Sequence, residues 1–227
     1  MSMRKLLVLI YSLLLTSGSL LAAEETLILN DGYSVKVLFF EPSDSNEAPP
    51  LALLVAGGSN NEFMARAQFW MGKEMVGRGW AIAVPISTEG REFFVDNPQL
   101  FPEIIGLLRD SHDLKKAKTL LVGISSGGSA ALAIAAQDPQ HYLGVIAAPG
   151  RILDELLFEN LNGLPVYLRI GEKDNFRWNR RLQATAELLH RAGASVDAAI
   201  MPKAKHIFRL DWENLEAWLQ GLQQPGN

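Results

Sequence analysis

Short apolar segments alternate with segments of helical periodicity along most of the chain, and this alternation constrains the fold more than any other feature. The apolar runs lie at residues 51–56, 80–86, 119–123, 143–148, 166–170 and 196–201. The helical segments lie at residues 63–76, 99–108, 126–137, 178–191 and 212–222. Strands that are apolar throughout are buried on both faces, so the pattern predicts one α/β domain with a mostly parallel sheet covered by helices on both sides.

The segment before this alternation predicts an antiparallel pair of strands. Residues 26–29 and 33–40 are rich in β-forming side chains and flank Asn30, Asp31 and Gly32. Asp-Gly accepts the positive φ of a tight hairpin turn. We therefore expect a hairpin at the start of the fold.

Composition excludes several classes of function. Apolar residues make up 48% of the chain, the net charge is −4, and no block of Lys or Arg occurs, so nucleic acid is not an expected partner. The absence of cysteine excludes disulfides, thiolate metal sites and a cysteine nucleophile. The nucleotide-binding motifs G-x-G-x-x-G and G-x-x-x-x-G-K-[ST] and the spacing His-x-x-x-His are also absent. We expect neither a cofactor nor a metal.

Residues 1–23 have the features of a secretory signal. Arg4 and Lys5 precede an apolar run, and small residues ending in Ala22-Ala23 follow it. Cleavage after Ala23 places Leu21 where a small side chain is preferred, so an uncleaved anchor and a buried core helix remain as alternatives. The expected organisation is a signal at 1–23 and one domain at 24–227, in a protein exported to the periplasm or the medium. Its contact with the membrane would then be transient unless the signal is retained.

One motif indicates chemistry. The predicted strand at 119–123 continues into Gly123-Ile124-Ser125-Ser126-Gly127 and then into a helix of small residues, which is the context that G-x-S-x-G requires. Glycines on either side of the serine allow a tight turn that exposes the hydroxyl at the sheet edge. The alternative is a strand–helix junction made of small residues only for packing.

Ser125 is followed by Asp174, after the strand that ends in Gly171, and by His206, after the strand at 196–201. Each lies just beyond the carboxyl end of a different strand, where open α/β sheets bind ligands. From about Thr26 onward the chain resembles the α/β-hydrolase superfamily, specifically its small lidless serine esterases and dienelactone-hydrolase-like members. The resemblance implies the α/β-hydrolase fold: an eight-stranded, mostly parallel sheet with an antiparallel N-terminal hairpin, helices on both faces and no cap domain.

The resemblance also implies roles for these residues. Ser125 would be the nucleophile, His206 the general base and acid, and Asp174 the acid that orients the histidine. The backbone N–H groups of Gly58 and Ser126 would form the oxyanion hole. Two features depart from the family pattern: Ala56 stands where a histidine is usual, and no glycine closely precedes His206. Other histidines and acids remain as alternatives, namely His112, His141, His190, Asp138 and Asp154.

The substrate is expected to be a small or extended soluble ester. Only 16 residues separate Ala148 from Pro165, too few for a lid domain. Phe93 and Phe94 would form an apolar wall over the cleft or belong to the core, and Trp178 would line the pocket or pack on the sheet. Arginines near the rim would attract an anion or form a hydrated face: Arg66, Arg177, Arg180 and Arg181. The sequence thus predicts a serine hydrolase of carboxylic esters or thioesters, with a serine peptidase of the same fold and an inactive exported binding protein as alternatives.

Overall fold

The computed structural model describes residues 23–43, 47–59, 61–86, 100–155 and 158–223. Their strands form one eight-stranded sheet in the order β1-β2-β4-β3-β5-β6-β7-β8. The strands are β1 (Ala23–Ile28), β2 (Ser34–Phe40), β3 (Leu51–Val55), β4 (Ala81–Ile86), β5 (Thr119–Gly123), β6 (Tyr142–Ala147), β7 (Pro165–Gly171) and β8 (Ser195–Met201). The pairs β1–β2 and β2–β4 are antiparallel, and every other pair is parallel. The predicted fold class is confirmed.

Helices cover both faces of this sheet. They are α1 (Glu62–Ala67), α2 (Trp70–Val76), α3 (Leu100–Ser111), α4 (Ser126–Gln137), α5 (Leu182–Arg191) and α6 (Trp212–Gln223). Apolar side chains of α3, α4 and α5 pack on one face, and those of α1, α2 and α6 pack on the other. Central strands supply alternate residues to each core, as Leu53 and Leu54 of β3 show, which explains why these strands are apolar throughout.

The N-terminal hairpin turns at the predicted position. Gly32 has a φ of +82°, and the Asp31 side chain accepts a hydrogen bond of 2.8 Å from the Tyr33 N–H. The turn therefore uses glycine where positive φ is required and aspartate to satisfy a backbone donor.

Two predicted helices are interrupted. The segment 63–76 is divided into α1 and α2 because the Phe69 ring packs on Gly72, where a Cβ would meet the ring at 2.4 Å, and stacks on Phe40 at 3.7 Å. The segment 178–191 begins as a 3-10 turn (Trp178–Arg181), and Arg177, with a φ of 61°, ends the helical backbone on its N-terminal side.

The predicted signal lies outside the described residues except for its last residue, Ala23, with which β1 begins. Among the helices that the structure describes, none has the length and apolar character needed to cross a bilayer.

Candidate active site

Ser125 lies at the sharp turn between β5 and α4. Its φ of 59° and ψ of −124° are unusual for a residue with a side chain, and such backbone strain is concentrated at functional sites. The turn closes only because its flanking residues lack side chains. A Cβ on Gly123 would lie 2.2 Å from the Gly127 carbonyl oxygen, and a Cβ on Gly127 would lie 2.1 Å from that of Val55.

Ser125, His206 and Asp174 form a continuous chain of hydrogen bonds. Ser125 Oγ lies 2.8 Å from His206 Nε2, and His206 Nδ1 lies 3.0 Å from Asp174 Oδ2. The second carboxylate oxygen of Asp174 accepts a 2.7 Å bond from the Phe176 N–H. Since an ionised carboxylate only accepts, the consistent arrangement has Nδ1–H donating to Asp174 and Nε2 accepting the Ser125 hydroxyl proton.

Burial differs along this chain of contacts. Asp174 is 5% exposed and His206 is 7% exposed, whereas Ser125 is half-buried at the sheet edge. The carboxylate and the ring are thus held inside the protein, and the hydroxyl faces the side from which a substrate would approach.

The loops that carry Asp174 and His206 are bonded to each other through their backbones. Glu172 N–H donates to the Met201 carbonyl at 2.9 Å, and Lys173 N–H donates to that of Ala204 at 2.7 Å. A Cβ on Gly171 would lie 2.0 Å from the Lys205 carbonyl oxygen. The backbone before His206 therefore lies directly against the end of β7, and this close approach requires a glycine at position 171.

The loop after β3 is fixed by a residue that the sequence did not single out. Gln68, 8% exposed, accepts a 2.7 Å hydrogen bond from the Gly57 N–H through its side-chain oxygen. Gly58 follows with a φ of +68°, and its carbonyl accepts a 3.3 Å bond from the Ser126 hydroxyl. The two predicted oxyanion donors thus belong to neighbouring segments. The same segment also contains Arg66, Lys73 and Glu74, so its sequence alone did not distinguish Gln68.

Aromatic rings enclose the imidazole. The Trp178 ring centroid lies 5.0 Å from that of His206 at 90°, and the Phe176 centroid lies 4.5 Å from it at 63°. Trp178 also packs against the core, as the packing interpretation expects, and its place in a substrate pocket stays a prediction. Phe176 is 62% exposed. The predicted wall residues Phe93 and Phe94 lie outside the described residues.

The competing residues lie elsewhere. His112 pairs with Glu25 at 2.8 Å beside the hairpin, and His141 pairs with Asp138 at 2.6 Å in a 3-10 turn. His190 and Asp154 are exposed. Neither histidine–carboxylate pair includes a serine, and the described residues contain no group of acidic and histidine side chains suited to holding a metal.

An open groove of about 560 Å³ follows His206 along the chain. It lies between α2 and the segment 207–212, and Trp70, Phe208 and Trp212 contribute apolar surface. A groove of this character and size can hold an apolar part of a small ligand.

Solved structures of the same fold include several esterases. A fungal esterase from Rhizomucor miehei has a TM-score of 0.68 and 15% identity, with 92% of this chain and 84% of that chain covered. A protein from Klebsiella pneumoniae described as a dienelactone hydrolase has a TM-score of 0.67 and 17% identity, with coverage of 88% and 96%. An esterase from Pyrococcus furiosus has a TM-score of 0.65 and 11% identity, with coverage of 89% and 90%.

No curated protein sequence matches the chain. The Esterase family model matches residues 99–224, which is more than half of the chain and includes Ser125, Asp174 and His206. The chain therefore belongs to the Esterase family, and it is a hydrolase with the α/β-hydrolase fold.

Proposed function

We propose that the protein hydrolyses carboxylic esters through an acyl-enzyme on Ser125. The observation that carries the proposal is the hydrogen-bonded chain from Ser125 through His206 to Asp174, with the serine on a strained turn. A serine hydroxyl is a weak nucleophile until a neighbouring base accepts its proton, and His206 Nε2 is within reach to do so at 2.8 Å. The geometry thus meets the first requirement for acyl transfer.

Each step of the reaction has a group to perform it. Ser125 Oγ attacks the ester carbonyl carbon while His206 takes the hydroxyl proton, and Asp174 stabilises the imidazolium that forms. The N–H groups of Gly58 and Ser126 stabilise the negative oxygen of the tetrahedral intermediate. Collapse expels the alcohol, which takes the proton from His206. A water molecule then attacks the acyl-enzyme by the same sequence and releases the carboxylic acid.

A labelling experiment tests the nucleophile. A fluorophosphonate probe is expected to label the wild type, and Ser125→Ala should abolish labelling and lower kcat for p-nitrophenyl acetate by about 10⁴- to 10⁶-fold. Ser111→Ala, at the remote end of α3, is the matched control and should behave as the wild type. Labelling that persists in Ser125→Ala refutes the assignment.

The same assay separates the two alternatives. A serine peptidase would cleave short peptide amides at rates rivalling those for esters. An inactive binding protein would neither react with the probe nor turn over any ester. The 2.8 Å and 3.0 Å contacts favour catalysis over this last alternative, because a pseudo-enzyme has no need of an aligned base.

We also propose that residues 1–23 direct export and are removed. The first residue after the expected cut, Glu24, already pairs with Lys36 at 2.9 Å, so cleavage there leaves the ion pairs of β1 intact. Mass spectrometry of the protein secreted by its host should find a mature chain beginning at Glu24. An intact N-terminus in the membrane fraction would favour the anchor instead.

A further inference from the structure

Arg151 lies beside the proposed catalytic residues at the same edge of the sheet. It follows β6, and its N–H donates to Ser129 Oγ of α4 at 3.1 Å. Two residues earlier, the Pro149 carbonyl accepts the Ser125 N–H at 2.8 Å. The segment that carries Arg151 is therefore fixed to the turn that carries the nucleophile.

The guanidinium group of Arg151 is stacked on the ring that contacts His206. Its Cζ lies 4.9 Å from the Trp178 ring centroid, which in turn lies 5.0 Å from the His206 centroid. The guanidinium is thus within about 10 Å of the imidazole. This separation suits a group on the substrate a few bonds away from the reacting carbonyl.

Arg151 is the arginine stacked on Trp178, and it has no carboxylate partner among the described residues. Arg66, Arg78 and Arg169 each form an ion pair with at least one carboxylate. Within the described ranges no carboxylate pairs with Arg151, and its buried Nε has no hydrogen-bond partner. Arg151 as a whole is partly exposed, and a guanidinium group without a carboxylate partner gains free energy when it binds an anionic ligand.

We infer that Arg151 and Trp178 form a subsite for a carboxylate carried by the substrate. The inference rests on the proposed ester hydrolysis and narrows its substrates to esters with a free carboxylate at the end opposite the scissile bond, such as half-esters of dicarboxylic acids. Arginine binds a carboxylate through two parallel N–H donors, and the indole face holds the guanidinium plane in place.

A pair of substrates of equal chain length tests the subsite. The mono-4-nitrophenyl ester of adipic acid carries the carboxylate, and 4-nitrophenyl hexanoate lacks it. Arg151→Met is expected to lower kcat/KM for the adipate ester about 10- to 100-fold and to change that for the hexanoate less than about threefold. Arg151→Lys, which keeps the charge without the two-donor geometry, should fall between the wild type and Arg151→Met. Arg191→Met, at the exposed end of α5, is the matched control and should match the wild type with both esters.

The outcomes distinguish this inference from the proposed function. Equal losses on both esters, or no loss on the adipate ester, overturn the subsite while ester hydrolysis stands. If no ester is turned over and the probe does not label Ser125, the proposed function fails. Calorimetric binding of adipate to the wild type and to Arg151→Met then still decides the subsite, since equal binding or none overturns it.

Discussion

The single methyl group of Gly171→Ala should disable the site without touching a proposed catalytic residue. Gly171 ends β7, and the backbone of Ala204 and Lys205 crosses directly over it. The added Cβ would lie 2.0 Å from the Lys205 carbonyl oxygen and 2.6 Å from that of Ala204. Both neighbours are backbone atoms, so no flexible side chain can move aside.

The size of the displacement follows from these distances. Real Cβ atoms essentially never approach a heavy atom within 3.0 Å, so the segment before His206 must move by at least about 1 Å. The Ser125–His206 contact of 2.8 Å would lengthen to a distance at which the hydrogen bond is lost. A misplacement of about 1 Å costs about 10²-fold in rate. Overpacking should also destabilise the fold by about 1–3 kcal/mol.

Steady-state kinetics with p-nitrophenyl acetate and thermal unfolding together check this prediction. Gly171→Ala should lose about 10²-fold in kcat/KM while unfolding as a cooperative single transition a few degrees below the wild type. Gly106→Ala is the matched control, because that glycine lies on the exposed side of α3 with nothing within 4 Å of its missing Cβ. It should keep full activity and gain up to about 1 kcal/mol of stability. Activity within threefold of the wild type in folded Gly171→Ala would show that the reasoning is wrong.

Three further predictions concern the surroundings of the site and the N-terminal ion pairs. Gln68→Met removes the 2.7 Å acceptor of the Gly57 N–H and should lower kcat about tenfold with little change in KM, whereas Gln68→Glu should retain more activity. Hydrogen bonds from Lys36 lower the pKa values of Glu24 and Glu62. This cluster therefore stabilises the fold above the ordinary carboxyl pKa of 4.5 and loses that effect as the pH falls. Lys36→Met should reduce the change in urea midpoint between pH 7 and pH 3. EDTA should leave ester turnover unchanged, and a loss restored by a divalent metal would contradict the proposed mechanism.

Local patterns in the sequence, together with the family resemblance, were sufficient to predict the strands and to place Ser125, Asp174 and His206 at one edge of the sheet. Ser125, Asp174 and His206 each follow an apolar run, and the carboxyl ends of parallel strands meet at one edge. Chain distance is then unimportant, which is why residues 81 positions apart, Ser125 and His206, touch as expected.

Contacts between unlike segments were not predictable from such patterns. Gln68 lies at the break between α1 and α2, where its side chain bonds to Gly57, and the sequence did not predict that break. The unsatisfied Nε of Arg151 likewise depends on which groups surround it in the fold. No period or motif encodes the absence of a partner.

The residues that set the geometry of the site differ from the residues proposed to select the substrate. Positions that must lack a side chain lie at the strand ends: Cβ atoms on Gly57, Gly123 and Gly171 would each meet a backbone atom within 2.4 Å. Trp178, by contrast, contacts His206 through its side chain, and Arg151 stacks on Trp178. Backbone contacts therefore hold the hydroxyl, imidazole and carboxylate in register, so a change at Arg151 should alter which ester is preferred while the hydrogen-bonded chain from Ser125 to Asp174 stays in place.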